Sequence, residues 1–225
     1  MSEILKSFGI EGKILIWQAI NFGILFAILW KFMYKPIRKV MKEREEKVKE
    51  SLEKAEKLEA TLKPLLEENP GSLKLSGKYI ATDEVKIIGN YSLMKSVKSL
   101  DLSDNQINDE ALQYLFESDI LEGLEELYLQ INFLTGNGLS ELAKSEKVKL
   151  KNLKVLVLSD NRLSDSSIAE MMLSSHFQNL ESLDVGWNEA GKETAKALGK
   201  TITLPKLKKL EMSMILFIII RIRSL

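Results

Sequence analysis

One line of sequence returns along this chain, and its spacing constrains the fold more than any other feature. It reads Leu124-Glu-Glu-Leu127-Tyr-Leu129-Gln-Ile-Asn132-Phe-Leu134. The same pattern stands at Val97, Leu100, Leu102, Asn105 and Ile107, at Leu153, Leu156, Leu158, Asn161 and Leu163, and at Leu180, Leu183, Val185, Asn188 and Ala190. Successive asparagines lie 27, 29 and 27 residues apart. A weaker copy precedes them at Leu73, Leu75, Lys78 and Ile80, and a frayed one follows at Leu207, Leu210 and Met212. A fixed period of this length predicts a solenoid of stacked supersecondary units.

Within each unit, Leu127 and Leu129 alternate with Glu126, Tyr128 and Gln130, which predicts a short strand that buries every second side chain. Asn132 then interrupts the apolar row, and a buried amide must find hydrogen-bond partners. The return segments from Asp109 to Phe116 and from Asp165 to Met172 carry apolar residues at three- and four-residue spacing. They predict helices, with Asp109 and Asp165 as N-caps. One strand and one helix cannot enclose a core, but stacked neighbours can. These residues resemble the leucine-rich repeat family, in its long ribonuclease-inhibitor-like variety, over residues 70–213. The resemblance implies an α/β solenoid, a curved parallel sheet with outer helices. It also implies a ladder in which Asn105, Asn132, Asn161 and Asn188 bind loop backbone.

The other end of the chain reads differently. Ile14 to Tyr34 is apolar and about long enough to cross a bilayer as a helix. Trp17, Trp30 and Tyr34 suit the membrane interfaces, and Lys31 can reach water from within. No small-residue cleavage site follows, which argues against a signal peptide. Lys31, Lys35, Arg38, Lys39 and Lys42 crowd the C-terminal flank, whereas Glu3, Lys6, Glu11 and Lys13 nearly cancel on the other. The expected topology is single-pass, with the N-terminus outside and the repeats cytoplasmic. Pro36 is expected to bend the helix at the membrane surface. Beyond it, Glu43–Lys47, Glu45–Lys49, Glu50–Lys54 and Glu53–Lys57 have the favourable order for helical ion pairs. Val48, Leu52, Ala55, Leu58, Leu62 and Leu65 form a narrow seam fit for one partner helix.

The stretch from Leu15 through Trp17, Asn21 and Phe22, with Lys31-Phe-Met-Tyr-Lys-Pro36-Ile37, Arg44 and Ser51 to Glu56, is similar to the b subunit of the F-type ATP synthase. The resemblance covers about sixty residues. It implies a membrane anchor and the base of a peripheral stalk, with ATP synthase subunits as partners or self-association through the stalk helix. That family continues as a long charged helix. Here Pro64 and Asn69-Pro70-Gly71 are expected to stop it, and Leu62, Leu65 and Leu66 to shield the first repeat.

Equal counts of 32 basic and 32 acidic residues give no bulk pull toward nucleic acid, and none is expected as a partner. The chain has no cysteine and a single histidine, His176, so no cysteine-ligated metal or two-histidine site is available. Gly136-Asn-Gly138 lacks the lysine of a phosphate loop and reads as the loop-to-helix step of a repeat. Asp104 and Asp160 read as turn residues, and His176 as a structural or solvated side chain. Asn90-Tyr-Ser92 matches a glycosylation sequon, inert if cytoplasmic. No catalytic dyad or triad emerges, so the expectation is a non-enzyme without cofactor or metal.

What remains is the strand face. Side chains between the buried leucines point onto the concave sheet: Ser99, Asp101 and Ser103; Glu126, Tyr128 and Gln130; Val155, Val157 and Ser159; Ser182, Asp184 and Gly186. Trp187 follows at the sheet edge. The candidate partner-binding residues are Asp101, Glu126, Tyr128, Val157, Asp184 and Trp187, since aromatic and apolar area among acids suits protein recognition. The expected organisation is an N-terminal segment 1–13, a transmembrane helix 14–34, a charged stalk helix 35–66, repeats 70–213 and an apolar tail 214–225. In the tail, Ile215 stands where an asparagine is due, and the run reads as an edge strand or an out-of-frame end. The function expected is a membrane-anchored, non-catalytic protein-binding module. The alternatives are a component of the proton-transporting ATP synthase membrane sector, or a frame joining two gene fragments.

Overall fold

The computed structural model describes residues 12–200, 204–212 and 219–221. All but two residues of the expected N-terminal segment lie outside that range, as does Ile215. The chain divides into two compact units, residues 1–53 and 54–225.

In the first unit, α1 (Gly12–Leu29) runs through a π-helical turn (Trp30–Tyr34) into α2 (Lys35–Glu68), which continues into the second unit. Side chains from Leu15 to Glu53 are exposed, Trp17 by 72% and Phe32 by 71%. This is the one helix among the described residues that is long and apolar enough to cross a membrane. Trp30 stacks on Tyr34 with ring centroids 4.4 Å apart, and Arg38 lies over the Tyr34 ring. The helix does not end at Pro36. A proline lacks the amide hydrogen and crowds the carbonyl four residues back. The turn before it is widened instead, and the Lys35 amide donates to Trp30 O, five residues back. Lys39–Glu43 and Lys42–Glu46 form exposed ion pairs on α2.

Pro64, expected to stop α2, does not. The helix runs four residues past it, because Leu62 and Leu66 are buried at the N-terminal end of the second unit's core and hold the last turns down. Leu58 packs against the same core, whereas Leu65 is 38% exposed. Of the expected seam, Leu58 and Leu62 therefore join the core of the second unit, while Val48 and Leu52 remain exposed.

The second unit is a sheet of seven strands in sequence order: β1 (Ser72–Lys74), β2 (Ser99–Asp101), β3 (Glu126–Tyr128), β4 (Val155–Val157), β5 (Ser182–Asp184), β6 (Lys209–Glu211) and β7 (Ile219–Arg221). Neighbours from β1 to β6 pair in parallel, and β7 adds antiparallel to β6. The register stacks Leu73, Leu100, Leu127, Leu156, Leu183 and Leu210, all buried, into one row. Helices α3 (Thr82–Ile88), α4 (Asp109–Glu117), α5 (Gly136–Lys144), α6 (Asp165–Leu173) and α7 (Lys192–Leu198) return the chain between successive strands. Each lays a short apolar stripe on the core, such as Leu112, Leu115 and Phe116 of α4. Phe116 meets Phe177 edge to face at 6.0 Å.

Two sets of side-chain hydrogen bonds tie one repeat to the next. After each of β1 to β5 a residue in the left-handed region turns the chain: Gly77, Asp104, Ile131, Asp160 and Trp187. Lys78 follows Gly77, and in the other four turns the asparagine that follows turns inward. Asn132 Oδ1 accepts from Ile107 N at 2.9 Å, and its Nδ2 donates to Leu102 O, Leu129 O and Gln130 O. Asn105, Asn161 and Asn188 do the same for Ile80, Leu134 and Leu163. Each asparagine thus satisfies an amide of the repeat before it.

The second set runs between helix starts and corrects the expected caps. Asn108 caps α4 through Ala111 N, and Ser164 caps α6 through Ser167 N. Asp109 and Asp165 sit one residue later, where their carboxylates point away from their own first turn. Asp109 accepts from the amide and hydroxyl of Thr135, the α5 cap. Asp165 accepts from Gly191 N, Glu193 N, Thr194 N and the Thr194 hydroxyl at the start of α7. Burial opposes the Asp165 charge, but these donors outweigh it and draw the carboxyl down from 3.8 to about 2.

Candidate functional site

The outward face of the strands gathers most of the candidate residues. Asp101, Tyr128, Val157 and Asp184 are register partners and form one row across β2 to β5. Glu126 stands two residues before Tyr128, in the adjacent row with Ser99, Val155 and Ser182. All are half-buried, so each offers part of its surface. Trp187 is set apart. It belongs to the left-handed turn after β5 and is 65% exposed.

The polar members hold one another in place. Tyr128 donates its hydroxyl to Glu126 Oε2 at 3.2 Å. Burial, the Glu126 and Asp101 charges and that hydrogen bond push the phenol above its usual range. Asp101 Oδ1 accepts from the amide and hydroxyl of Ser103, and Asp184 Oδ1 accepts from Gly186 N. Both aspartates are thereby fixed to the turn that follows their strand.

Sequence reasoning missed two members of this region. Ile131 occupies the same left-handed position as Trp187 and is 49% exposed. A β-branched residue is strained there. Phe133 is also 49% exposed, with the Arg162 guanidinium 5.6 Å from its ring centroid. The signal was present: aligned by repeat, Ile131 falls in the column of Asp104 and Asp160, where the other occupants are polar or exposed.

A second surface feature lies where the chain enters the strands. Lys98, Glu125, Lys154, Glu181 and Lys208 each precede a strand, so charge alternates from repeat to repeat. Lys154 pairs with Glu125 at 2.5 Å, Lys208 with Glu181 at 2.6 Å, and Lys98 with Glu125 at 3.8 Å. Such exposed pairs add little stability.

The remaining motifs have structural partners. A Cβ on Gly138 would meet Asp109 Cγ at 2.3 Å, and one on Gly136 would meet Ser164 Oγ at 2.5 Å. The Gly-Asn-Gly stretch is therefore the clearance that lets neighbouring helix starts approach. His176 lies edge-on to Phe177, and Asn90 Nδ2 donates to Lys86 O. Among the described residues no cluster of three metal-ligating side chains occurs.

Comparison with known proteins divides the chain as its residues do. Residues 14–76 match the model of ATP synthase B/B′ CF(0). ATP synthase subunit b of Endomicrobium trichonymphae is 42% identical over 60 residues, covering 27% of this chain and 36% of that protein. The subunit b of Methylacidiphilum infernorum is 43% identical over 58 residues, covering 26% and 34%. Residues 14–76 resemble ATP synthase subunit b. This chain thus spans about a third of the length of these relatives. Residues 94–116 and 149–172 match the leucine-rich repeat model. Among solved structures, an internalin from Listeria monocytogenes covers 57% of this chain and 31% of its own at 24% identity, with a TM-score of 0.40. The Arabidopsis receptor kinase HAESA covers 64% and 26% at 22% identity, with a TM-score of 0.35. A parallel sheet with helices fits the α/β repeat fold, and both matched families are non-catalytic.

Proposed function

We propose that this chain is a non-catalytic, membrane-anchored leucine-rich repeat protein that holds a protein partner on its strand face. The observation that carries the reading is the row of Asp101, Tyr128, Val157 and Asp184, which puts aromatic and apolar area among carboxylates on one face. Six parallel strands in constant register, tied by asparagines, support a solenoid over residues 70–213. The anchor at residues 14–34 is supported by an apolar helix with no buried side chain among residues 15–34, which is costly in water and favourable in lipid. ATP synthase b subunits are membrane-anchored, and the basic flank from Lys31 to Lys42 favours cytoplasmic repeats. Residues 35–66 form the stalk.

A second reading is favoured by the match at residues 14–76: the chain enters the ATP synthase membrane sector through its span and stalk, or associates with itself there. Against it, α2 covers about 50 Å at 1.5 Å per residue before repeats begin, short for a stalk that must brace a catalytic head.

One experiment addresses both. The full chain is recovered from carbonate-washed membranes and used to capture partners, with and without Tyr128→Ala plus Trp187→Ala. The expected result is retention in the membrane pellet and a partner whose capture the double variant weakens by about 2 kcal/mol or more. Recovery in the soluble fraction would remove the anchor. Capture of ATP synthase subunits, indifferent to the double variant, would favour the second reading.

A further inference from the structure

The middle of the strand face, from β2 to β5, carries charge of one sign. Its outward strand side chains from β2 to β5 are Ser99, Asp101, Glu126, Tyr128, Val155, Val157, Ser182 and Asp184, with three carboxylates and no cation, in a chain of zero formal net charge. Lysine returns on the flanking strands, as Lys74, the register partner of Asp101 on its far side from Tyr128, and as Lys209, which pairs with Glu211. Lys154 is close enough to feel Glu126 but pairs with Glu125. Tyr128 therefore stands between Asp101, its register partner, and Glu126, which its hydroxyl contacts. Next on the same face, Gln130 Oε1 is sealed from solvent without a donor. Val157 lies beside Tyr128, and Trp187 is exposed just past Asp184.

Resting on the proposal that this face binds protein, we infer that its occupant is a basic protein segment. A Lys or Arg side chain sits over the Tyr128 ring between Asp101 and Glu126, and an adjacent apolar side chain covers Val157 and Trp187. A cation there gains from both the ring and the carboxylates. An acidic segment, or a phosphate-bearing surface, meets like charge at the same positions and is rejected. The requirement for paired cationic and apolar side chains separates this occupant from a free metal ion or polyamine.

The test is fluorescence anisotropy with the full chain in detergent micelles and three labelled peptides of one length. The first alternates Lys and Arg with Leu and Trp; the others replace the cations by Gln or by Glu. The basic peptide is expected to bind, more weakly as salt rises. Asp101→Asn with Glu126→Gln is expected to weaken it at least about tenfold. That pair retains the acceptors for Ser103 and Tyr128, so the face stays folded. Equal binding of the Gln or Glu peptide, no binding of the basic peptide, or indifference to the isosteric pair would overturn the inference. None of these results touches the wider proposal that the strand face holds a protein, which falls if membrane capture is indifferent to Tyr128→Ala plus Trp187→Ala.

Discussion

Asn132→Leu separates the hydrogen-bonding role of the asparagine row from its packing role, and the structure ranks it against Asn161→Leu. Asn132 serves Ile107 N, Leu102 O, Leu129 O and Gln130 O. Gln130 O also receives Asp104 N, and Leu129 O also receives Asn161 Nδ2, so those two carbonyls keep a donor. Ile107 N and Leu102 O do not. Two orphaned backbone groups cost about 1–3 kcal/mol each, partly offset by the leucine's own burial, for a net loss of roughly 2–4 kcal/mol. Asn161 serves Leu134 N, Leu129 O, Leu158 O and Ser159 O, and all three carbonyls have a second donor. Asn161→Leu orphans one amide and should cost about 1–2 kcal/mol. Urea unfolding of the intact chain in micelles, followed by far-ultraviolet circular dichroism, measures both. Hydrogen exchange at the Ile107 amide should quicken in the first variant alone. Equal losses in the two variants, or an unmoved exchange rate, would refute the reasoning.

Two further expectations concern the helix starts. Asp165→Ala removes the cap that one repeat lends to the next and should cost about 2 kcal/mol, with α7 fraying first in hydrogen exchange. Because the folded Asp165 carboxyl titrates at about 2 against 3.8 unfolded, its contribution is complete above pH 3.8 and is lost as pH falls through 2. Stability of the native chain should therefore decline across that window more steeply than that of Asp165→Ala. Gly138→Ala drives a methyl into the Asp109 carboxylate and should lower the thermal midpoint, whereas Gly23→Ala, with open space around it, should leave it unchanged.

Much of the fold was legible because the repeat imposes one answer at every level. Apolar residues two apart, an asparagine three further on and a helical return agree in the four copies from Val97 to Ala190. What stayed hidden depends on stacking. Asp109 and Asp165 looked like caps for their own helices, since no spacing within one repeat shows a carboxylate reaching the next. Leu65 and Leu66 are equally apolar, and only the approach of α2 to the first repeat decides that Leu66 goes inside. Pro64 signals a stop wherever nothing holds the turn beyond it; here buried Leu66 does. At the candidate site, alternation showed which strand residues share the outer face. Ile131 and Phe133 escaped notice because apolar residues in a repeat read as core, and their exposure follows from a turn in the left-handed region.

The central claim is that the strand face, rather than the stalk, selects the partner. A photocrosslinking residue placed at Tyr128 in one variant and at Val48 in another, both activated in native membranes, tests it directly. Val48 is 68% exposed on α2 and Tyr128 lies at the middle of the face, so both positions can report a neighbour. The account predicts one discrete adduct from Tyr128 to a protein that is not an ATP synthase subunit, lost when Trp187→Ala is added. Adducts from Val48 to ATP synthase subunits, with none from Tyr128, would contradict it.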